Sequence, residues 1–392
     1  RDRIPNKYPI QMDILLAPGI FPPDSGGPAT FAPDLGEALT TRGHGVRIVT
    51  NGTAPEEFDD ESPFEVTRIE RGGSTPRLYA RQIRTIRREI RRFDPDVVLA
   101  NAFDLQTALA TISTGVPTIT KIVGDYAWER ARRKVGLTDH IDAFQTTTYG
   151  PRVEFYKRLR SFQTRQMDRV VVPSEYLRTM VTGWGVSEPR TSVIYNAIDI
   201  EVPSVPDGDR ADRIVTVGRL VNWKGIDGVI DAFADITADS PKTELHVVGD
   251  GPERDALEAR AAATDAADRI VFHGRVDHER VLELVARSRV FTLNSTYEGL
   301  PHVVLEAMAC GTPVVASAAG GTPEVVHDGE TGLLVDPGDT DALARAFGRV
   351  LDDADLRASL RAGADELLAE RFSHERMIDE YESLLQEVAG EA

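Results

Sequence analysis

Two glutamates, Glu298 and Glu306, lie eight residues apart in the segment YEGLPHVVLEAMACGTPVVASAAGG, residues 297–321. The Gly-Leu-Pro turn between them predicts the start of a short helix. Pro301 suits a first helical turn, and Gly311 suits an exit in the left-handed conformation. Apolar, β-branched runs flank the helix on both sides. The segment therefore predicts strand, loop, helix and strand, with one carboxylate in the loop and the other about two turns into the helix.

The loop before this helix is a candidate anion site. We predict that the amides of Gly299 and Leu300 are unpaired at the helix N-terminus, where free N–H groups and the helix dipole favour negative charge. A phosphate bound there would lie between two carboxylates that can accept hydrogen bonds from sugar hydroxyls. The alternative is that Glu298 is a solvated loop residue and Glu306 an ordinary surface residue of the helix.

Two cations follow an earlier predicted strand, in the segment RIVTVGRLVNWKG. Arg219 and Lys224 lie five residues apart after Gly218, and Lys224 is one of only six lysines in the chain. Two cations at the head of a helix can neutralise a diphosphate leaving group without a metal ion.

Other predicted strand ends offer further candidates. Gly26 and Gly27, in PPDSGGP, would let the backbone approach a ligand closely, although a plain turn is the alternative. Asp125 follows TITKIVG and could stabilise charge or cap the next helix. Arg275 and Val276 follow RIVFHG, where exposed backbone could contact the flat edge of a base.

Parallel sheets are the elements that would position these groups. Apolar runs alternate with helical stretches in both halves of the chain, about six runs in each, which predicts the α/β class with two doubly wound, Rossmann-like domains facing across a cleft. The predicted domains are residues 1–198 and 199–373, joined in a Pro-, Asp- and Gly-rich stretch, residues 196–212. A final helix, residues 374–392, could pack on either domain.

Composition restricts the class of protein. The chain has 392 residues, a net charge of −18, 39 arginines and six lysines. An acidic, lysine-poor surface is typical of proteins from a halophilic source, and a GC-rich genome is the alternative explanation. The sequence contains no apolar run of membrane-spanning length and no secretory signal pattern, which predicts a cytoplasmic protein. The single cysteine, Cys310, excludes a disulfide within one chain and predicts a small core residue.

The positive charge is concentrated in the first half. Residues 1–200 carry a net charge of +2 and residues 201–392 a net charge of −20. Residues 77–92, from Arg77 to Arg92, hold seven arginines and one glutamate, and a second basic-aromatic stretch covers residues 152–162. Either stretch could contact an anionic membrane surface or an acidic acceptor, or could be a solvated helix face. No groove-binding or base-stacking motif accompanies the arginines, so we predict no nucleic-acid partner.

We also predict no metal site and no cofactor. Metal-dependent transferases of another fold use a D-x-D signature, and the only match in this chain that invites comparison is Asp94-Pro95-Asp96. That match precedes an apolar run and is better interpreted as a turn.

With these residues identified, the chain resembles the retaining GT-B glycosyltransferases of the family-4 type, the glycosyl transferases of group 1, over nearly its full length. The similarity is carried by GGP, KIVGD, VVPSEYL, IYNAID, VGRLVNWKG, VVGDGPER, FHGRV and EGLPHVVLEAMACGTPVVAS. The last of these contains the family's E-x7-E pattern and is highly specific, whereas GGP is not. The resemblance implies metal-free transfer of a sugar from a nucleotide sugar with retained anomeric configuration.

The resemblance also implies roles for single residues. Arg219 and Lys224 would bind the diphosphate and stabilise the charge that develops as the glycosidic bond breaks. Glu298 would contact the donor hexose, helped by the amides of Gly299 and Leu300. Glu306 would accept the ribose hydroxyls.

Further donor contacts are implied at Gly218 and at the main chain of Arg275 and Val276, which would touch the base. Gly26 and Gly27 would close over the phosphates from the other domain, and the final helix would cross back onto the first domain. Many relatives place a histidine where KIVG leads into Asp125. Asp125 would contact hydroxyls of the donor sugar and completes a candidate catalytic set with Arg219, Lys224 and Glu298.

The resulting hypothesis is a hexosyltransferase that acts on a glycan or polyprenyl-linked acceptor, with the region from Arg77 to Arg92 in peripheral contact with the inner face of the cell membrane. A nucleotide-sugar epimerase of the same fold, which needs no acceptor, is one alternative. A non-catalytic nucleotide-sugar binder is another.

Overall fold

The computed structural model of the chain describes residues 11–24, 27–52, 57–112, 114–198 and 200–390. Within these ranges the chain divides into two compact units. The second unit comprises Ser174–Leu177 and Tyr195–Arg376, and the first unit comprises the remaining described residues. The C-terminal residues from Met377 onward therefore belong to the first unit.

The first unit is built on a parallel sheet of seven strands in the order β3-β2-β1-β4-β5-β6-β7. Its strands are β1 Asp13–Pro18, β2 Gly45–Asn51, β3 Glu65–Ile69, β4 Val97–Asn101, β5 Thr118–Lys121, β6 Arg169–Val172 and β7 Thr191–Val193. The order reverses direction beside β1, as in doubly wound sheets.

The second unit is built on a parallel sheet of six strands in the order β10-β9-β8-β11-β12-β13. Its strands are β8 Ala211–Val217, β9 Glu244–Val248, β10 Ile270–Gly274, β11 Ser288–Leu293, β12 Val314–Ser317 and β13 Leu333–Val335. The predicted α/β class, with two doubly wound Rossmann-like halves, is confirmed by these two sheets.

Helices connect the strands of both units. They are α1 Gly27–Thr41, α2 Glu57–Glu61, α3 Thr75–Phe93, α4 Asp104–Thr111, α5 Tyr126–Val135, α6 Ile141–Thr146, α7 Pro151–Arg165, α8 Glu175–Gly183, α9 Ile226–Ile236, α10 Arg254–Ala262, α11 His278–Ala286, α12 His302–Ala309, α13 Thr340–Asp352, α14 Ala354–Arg371 and α15 His374–Gly390.

Burial on both faces explains why the strands of the second unit are continuous apolar runs. On β8, Ile214 packs into one core with Phe233 and Phe347, whereas its neighbour Val215 packs into another with Phe291. Successive side chains of a strand point to opposite faces, so a sheet covered on both sides by helices needs apolar residues at both. The loops at the carboxyl edge are then the places left for polar chemistry.

Candidate functional site

Three glycines bring the loops after β8 and β9 into close contact. A Cβ on Gly249, which has φ +134°, would lie 1.9 Å from the carbonyl oxygen of Gly218. A Cβ on Gly251 would lie 2.2 Å from the carbonyl oxygen of Leu220. The amides of Gly218 and Gly249 donate to the carbonyls of Val248 and Gly274 at 3.0 and 2.9 Å. These loops can approach one another this closely only because no side chain intervenes.

The loops after β8, β9 and β10 enclose a cavity at the carboxyl edge of the second sheet. Its volume is about 610 Å³, and it is lined by Val217, Gly218, Arg219, Val248, Gly249, Asp250, Gly251, Arg275, Val276 and Val281. A volume of this size is typical of small-molecule sites. Four predicted donor-binding residues, Gly218, Arg219, Arg275 and Val276, are therefore brought together within one unit.

Lys224 lies at the lip of this cavity and forms an ion pair with Glu298. Its Nζ is 2.5 Å from Glu298 Oε1, and the two side chains are 17% and 13% exposed. A Cβ on Gly218 would be 3.7 Å from Lys224 Cε, which places the lysine beside the cavity wall. Arg219 is exposed and forms no ion pair with a carboxylate of the described chain. Lys224 is thus paired with a carboxylate, whereas Arg219 is not.

The Glu298 loop is fixed through its backbone. The amide of Gly321 donates to the carbonyl of Glu298 at 2.9 Å, and the Ser174 hydroxyl donates to the carbonyl of Gly299 at 2.7 Å. Leu300 buries its side chain in the core below. Within the described ranges, the amides of Gly299 and Leu300 have no hydrogen-bond acceptor, so they are available to an anion as the sequence predicts.

Helix α12 begins one residue later than predicted. Pro301 is the residue before the helix rather than its first residue, and Glu306 consequently lies little more than one turn into it. Gly311 has φ +63° and lies just beyond the helix, as its predicted exit role requires. Cys310 is buried, as predicted for a small core residue, and burial raises the pKa of its thiol to about 12.

Glu306 has a partner that the sequence did not indicate. His278 Nε2 lies 3.0 Å from Glu306 Oε1, and the histidine side chain is 56% exposed. Asp277 caps α11 by accepting from the Arg280 amide at 2.8 Å, which places His278 as the first residue of the helix. In the sequence, His278 is marked only by the helix-capping aspartate directly before it. That pattern does not indicate that the histidine contacts a residue 28 positions away.

Sequence reasoning also missed the loop after β9 as part of the cavity. The segment VVGDGPER contributes to the family resemblance, but no role is predicted for its residues from the sequence, whereas Gly249, Asp250 and Gly251 all line the cavity. The signal was present, because this Gly-Asp-Gly follows a buried strand in the same way that Gly218 and Arg219 follow theirs.

Asp125 belongs to the first unit and is fully buried there. Its Oδ1 accepts from the amides of Ala127 and Trp128 at 2.8 and 3.2 Å, which caps α5. Its Oδ2 accepts from Gln145 Nε2 at 2.9 Å and forms an ion pair with Arg160. Both carboxylate oxygens are thus bonded inside the fold, and the observed geometry is that of the helix cap, the alternative role for this residue.

The remaining predicted positions lie in the first unit. Gly27 is the exposed first residue of α1, and Gly26 lies outside the described residues. Asp94 ends α3 with φ +52°, and Asp96 Oδ2 accepts from the Asp13 amide at 2.7 Å, which agrees with the interpretation of this D-x-D match as a turn. Within the described part of the chain, no cluster of three or more His, Cys, Asp or Glu side chains is arranged to hold a metal ion.

Two family models match consecutive parts of the chain. The model described as Glycosyltransferase Family 4 matches residues 25–202, and the model described as Glycosyl transferases group 1 matches residues 198–367. Together they extend over nearly the whole sequence, and the second contains the cavity and both glutamates.

Individual proteins are also similar. The chain is 25% identical over 382 residues to the N-acetyl-alpha-D-glucosaminyl L-malate synthase of Bacillus anthracis, a match that covers 93% of this chain and 95% of that protein. It is 31% identical over 242 residues to a GDP-mannose-dependent monoacylated alpha-(1-6)-phosphatidylinositol monomannoside mannosyltransferase of Corynebacterium glutamicum, covering 56% of this chain and 62% of that protein.

Among solved structures, Anabaena HepE in complex with UDP and glucose has the same fold, with a TM-score of 0.76, 22% identity, and coverage of 96% of this chain and 100% of that one. The sheet topology, the two family matches and this structural similarity agree with one another. The chain is a glycosyltransferase and belongs to the GT-B glycosyltransferases of the family-4, group 1 type.

Proposed function

We propose that this enzyme transfers a hexosyl group from a nucleotide-diphosphate sugar to a glycan or lipid-linked acceptor, with retention of anomeric configuration and without a metal ion. The observation that carries the proposal is the Lys224–Glu298 ion pair at the lip of a cavity that also exposes Arg219. Two cations and a carboxylate close together support binding of a diphosphate and its sugar at this position.

The cavity supports the nucleotide part of the proposal. Backbone from three loops surrounds it, and the exposed Arg275 and partly exposed Val276 lie where a base would contact main chain. Anabaena HepE is described in complex with UDP and glucose, and the Corynebacterium relative as GDP-mannose-dependent. These names support a nucleotide sugar as donor and leave the choice of base open.

Arg219 and Lys224 support a reaction without metal. As the glycosidic bond breaks, negative charge moves onto the diphosphate oxygens, and fixed cations lower the free energy of that charged state. When the diphosphate binds, it competes with Glu298 for Lys224. The carboxylate is then freed to accept a hydroxyl of the donor hexose, and Glu306 remains available for the ribose hydroxyls.

Retention of anomeric configuration is proposed from the family-4 resemblance. Asp125 remains a proposed contact of the donor sugar. With both oxygens bonded inside the fold, Asp125 can reach a sugar hydroxyl only after a change of the surrounding helices. We therefore assign stabilisation of the charge on the leaving diphosphate to Arg219 and Lys224 and the contact with the donor hexose to Glu298, and expect Asp125 to stabilise its unit unless those helices rearrange.

We further propose a cytoplasmic location in a halophilic cell, with peripheral membrane contact. The acidic, lysine-poor composition supports the first part. In the described ranges, no helix is both long and apolar enough to cross a bilayer. The membrane contact is supported by α3, on which Arg77, Arg84 and Arg91 are exposed.

Ligand binding provides the first test. Nucleotide sugars are screened by thermal shift in high salt with a chelator present, and a ligand at 100 times its dissociation constant stabilises the protein by about 2.7 kcal/mol. Turnover is then followed with polyprenyl-phosphate sugars and soluble glycans as acceptors. Release of nucleoside diphosphate only after acceptor is added supports transfer, whereas interconversion of the donor without acceptor would indicate an epimerase.

Two variants connect the activity to the site. We expect R219Q and E306Q to abolish turnover, whereas R345Q on α13 and E366Q on α14, both exposed positions of the same unit, leave it unchanged. Full activity in R219Q and E306Q would overturn the assignment, as would loss of activity on chelation that added metal restores.

A further inference from the structure

Helix α7 presents large apolar side chains to solvent. Phe155 is 60% exposed and Phe162 is 46% exposed, and a separation of seven residues puts them on one face two turns apart. The opposite face is buried through Val153, Tyr156 and Thr164. Two aromatic rings in line on the outer face are not needed for folding, because the helix already packs on its unit through the opposite face.

Arginines flank the two rings. Arg152, Arg158 and Arg165 are exposed, and none of them forms an ion pair with a carboxylate of the described chain. Arg152 Nε donates to the hydroxyl of Tyr156 at 2.9 Å, and Arg165 Nε donates to the carbonyl of Ser161 at 3.0 Å. In a chain with a net charge of −18, three arginines without acidic partners on one short helix form a local cationic surface.

An exposed apolar residue also lies at the end of α4. Ile112, directly after α4, is 60% exposed and lines a cavity of about 540 Å³ that Gln166 also lines. Gln166 follows Phe162 by one helical turn, so the isoleucine lies near the C-terminal end of α7. Ile112, Phe155, Phe162 and the arginines 152, 158 and 165 are called the α7 face below.

Helix α3 lies beside this surface but exposes a different set of side chains. Arg87 on α3 donates to the carbonyls of Leu109 and Ala110 at the end of α4, at 2.5 and 3.2 Å. The exposed side chains of α3 include several arginines, whereas its apolar residues Ile86 and Ile90 are buried. Helix α3 can therefore attract an anionic surface, but it has no exposed large apolar group to insert.

We propose that the α7 face docks on an anionic lipid bilayer, with the two phenylalanines and Ile112 in the boundary between headgroups and acyl chains and the arginines on lipid phosphates. Exposed aromatic rings between cationic side chains match the amphipathic chemistry of that boundary. A soluble acidic protein would satisfy the arginines alone and would leave the rings in water unless it offered an apolar groove. The bilayer satisfies both parts of the surface.

The test is co-sedimentation of the full chain with vesicles, without donor or acceptor. We expect binding to vesicles of phosphatidylglycerol and phosphatidylcholine in equal parts and little binding to phosphatidylcholine alone. The R152Q/R158Q/R165Q variant should bind about 100-fold more weakly at low salt, at about 1 kcal/mol for each arginine. F155S/F162S should lose about ten-fold or more, and this loss should persist in molar salt because burial of the rings is not screened.

Matched variants make the assignment specific. R77Q/R84Q/R91Q on α3 removes the same charge as the α7 triple variant and should lose less binding than F155S/F162S in molar salt. V271S removes an exposed apolar side chain of the second unit and should bind as the wild type does. Circular dichroism and the donor thermal shift should be unchanged in all four variants, because the substituted side chains are exposed.

Three results would overturn the proposal: no binding of the wild-type chain to anionic vesicles, wild-type binding by F155S/F162S, or loss of binding in the α3 variant alone. Binding to a soluble polyanion such as heparin with no binding to anionic vesicles would assign the surface to an acidic macromolecule instead. None of these results bears on the proposed glycosyl transfer, which is measured separately with a soluble acceptor.

Discussion

At the carboxyl ends of the two parallel sheets, the charged side chains are buried in the first unit and accessible beside a cavity in the second. In the first unit, Asp125 and Asp104 follow β5 and β4, and both side chains are buried and bonded within the fold. In the second unit, Arg219 follows β8 in an exposed loop, and Glu298 follows β11 with its side chain 13% exposed beside a cavity. The same topology thus leads to a closed edge in one unit and an open edge in the other.

The difference comes from what covers each edge. Asp125 caps α5 and also accepts from the Gln145 amide of α6 and the Arg160 guanidinium of α7, so its charge serves to hold three helices together. In the second unit, glycines at 218, 249 and 251 keep side chains out of the corresponding loops and leave space for a ligand. The position of a charge after a strand indicates a possible site, and its neighbours decide whether the site is available.

Breaking the buried pair of the first unit should give the largest effect. We expect D125A and R160M each to lower the free energy of unfolding by about 3–5 kcal/mol, because each leaves a buried charge without its partner. Arg160 is 5% exposed and lies over the ring of Trp184, and burial lowers the pKa of its guanidinium. Urea unfolding followed by circular dichroism measures the loss.

R158M is the matched control, since Arg158 is exposed on the same helix and has no carboxylate partner in the described chain. Its unfolding free energy should stay within about 0.5 kcal/mol of the wild type. The comparison between the units would fail if D125A unfolded like the wild type but lost turnover. That result would make Asp125 part of the chemistry rather than of the fold.

At the open edge, K224M should reduce turnover by about 10²–10³-fold, the usual loss when one fixed charge stabiliser of a transition state is removed. The free energy of unfolding should change little, because the Lys224–Glu298 pair is partly exposed. Initial rates at saturating donor separate this effect from weaker binding.

K242M, an exposed lysine of the second unit, controls for the loss of one positive charge and should retain full turnover. If K224M kept wild-type turnover while K242M reduced it, the lip of the cavity would not be the place where diphosphate charge is stabilised. The proposed function would then need another cation.

The fold was largely predictable because its strands are buried on both faces. All six strands of the second sheet coincide with apolar runs of the sequence. In the first sheet, sequence reasoning missed β3, whose residues EVTRI range from exposed at Glu65 to buried only at Ile69. An edge strand with polar side chains lacks the continuous apolar run from which the other strands were recognised.

The site was predictable only in part, because its residues act through distant partners. Arg219, Lys224 and Glu298 lie in strand-end loops whose glycines are visible in the sequence, and Glu306 lies in the helix that follows the Glu298 loop. The burial of Asp125 depends on Gln145 and Arg160, which are 20 and 35 residues away, and the contact of His278 with Glu306 joins two different helices. Pairings of this kind follow from packing, which a single sequence does not show.

The pH dependence of stability at Asp104 provides a further test of this difference between the two units. Burial raises the pKa of its carboxyl from 3.8 to about 6, although a hydrogen bond from Thr120 opposes the shift. The folded state therefore holds the proton to a higher pH than the unfolded chain does. This contribution to stability is complete below the unfolded pKa and is lost as pH rises through about 6, a decrease of about 3 kcal/mol in unfolding free energy.

D104N keeps a neutral side chain at every pH and should remove this decrease, so the variant should be more stable than the wild type at pH 7. Urea unfolding from pH 4 to pH 7 measures both slopes. D60N, at an exposed position of α2, should follow the wild-type profile. A wild-type profile for D104N would mean that Asp104 is already ionised and solvated, and that the carboxyl edge of the first sheet is open to water at this position.

The smallest effect is expected at His278, at the open edge. H278A should raise the KM for the donor about five-fold with kcat unchanged, because Glu306 loses one hydrogen-bond partner that orients it for the ribose hydroxyls. H278Q retains a donor of similar reach and should restore most of the affinity. H327A, which removes a partly exposed histidine elsewhere in the second unit, should leave KM unchanged.

A double-mutant cycle decides whether His278 acts through Glu306 or independently. If it acts through the carboxylate, adding H278A to E306Q should weaken donor binding, measured by thermal shift, no further than E306Q does alone. An additive loss would give the histidine its own contact with the donor. An unchanged KM in H278A would mean that Glu306 is held by its helix alone, and that the open edge depends on fewer side-chain contacts than the closed one.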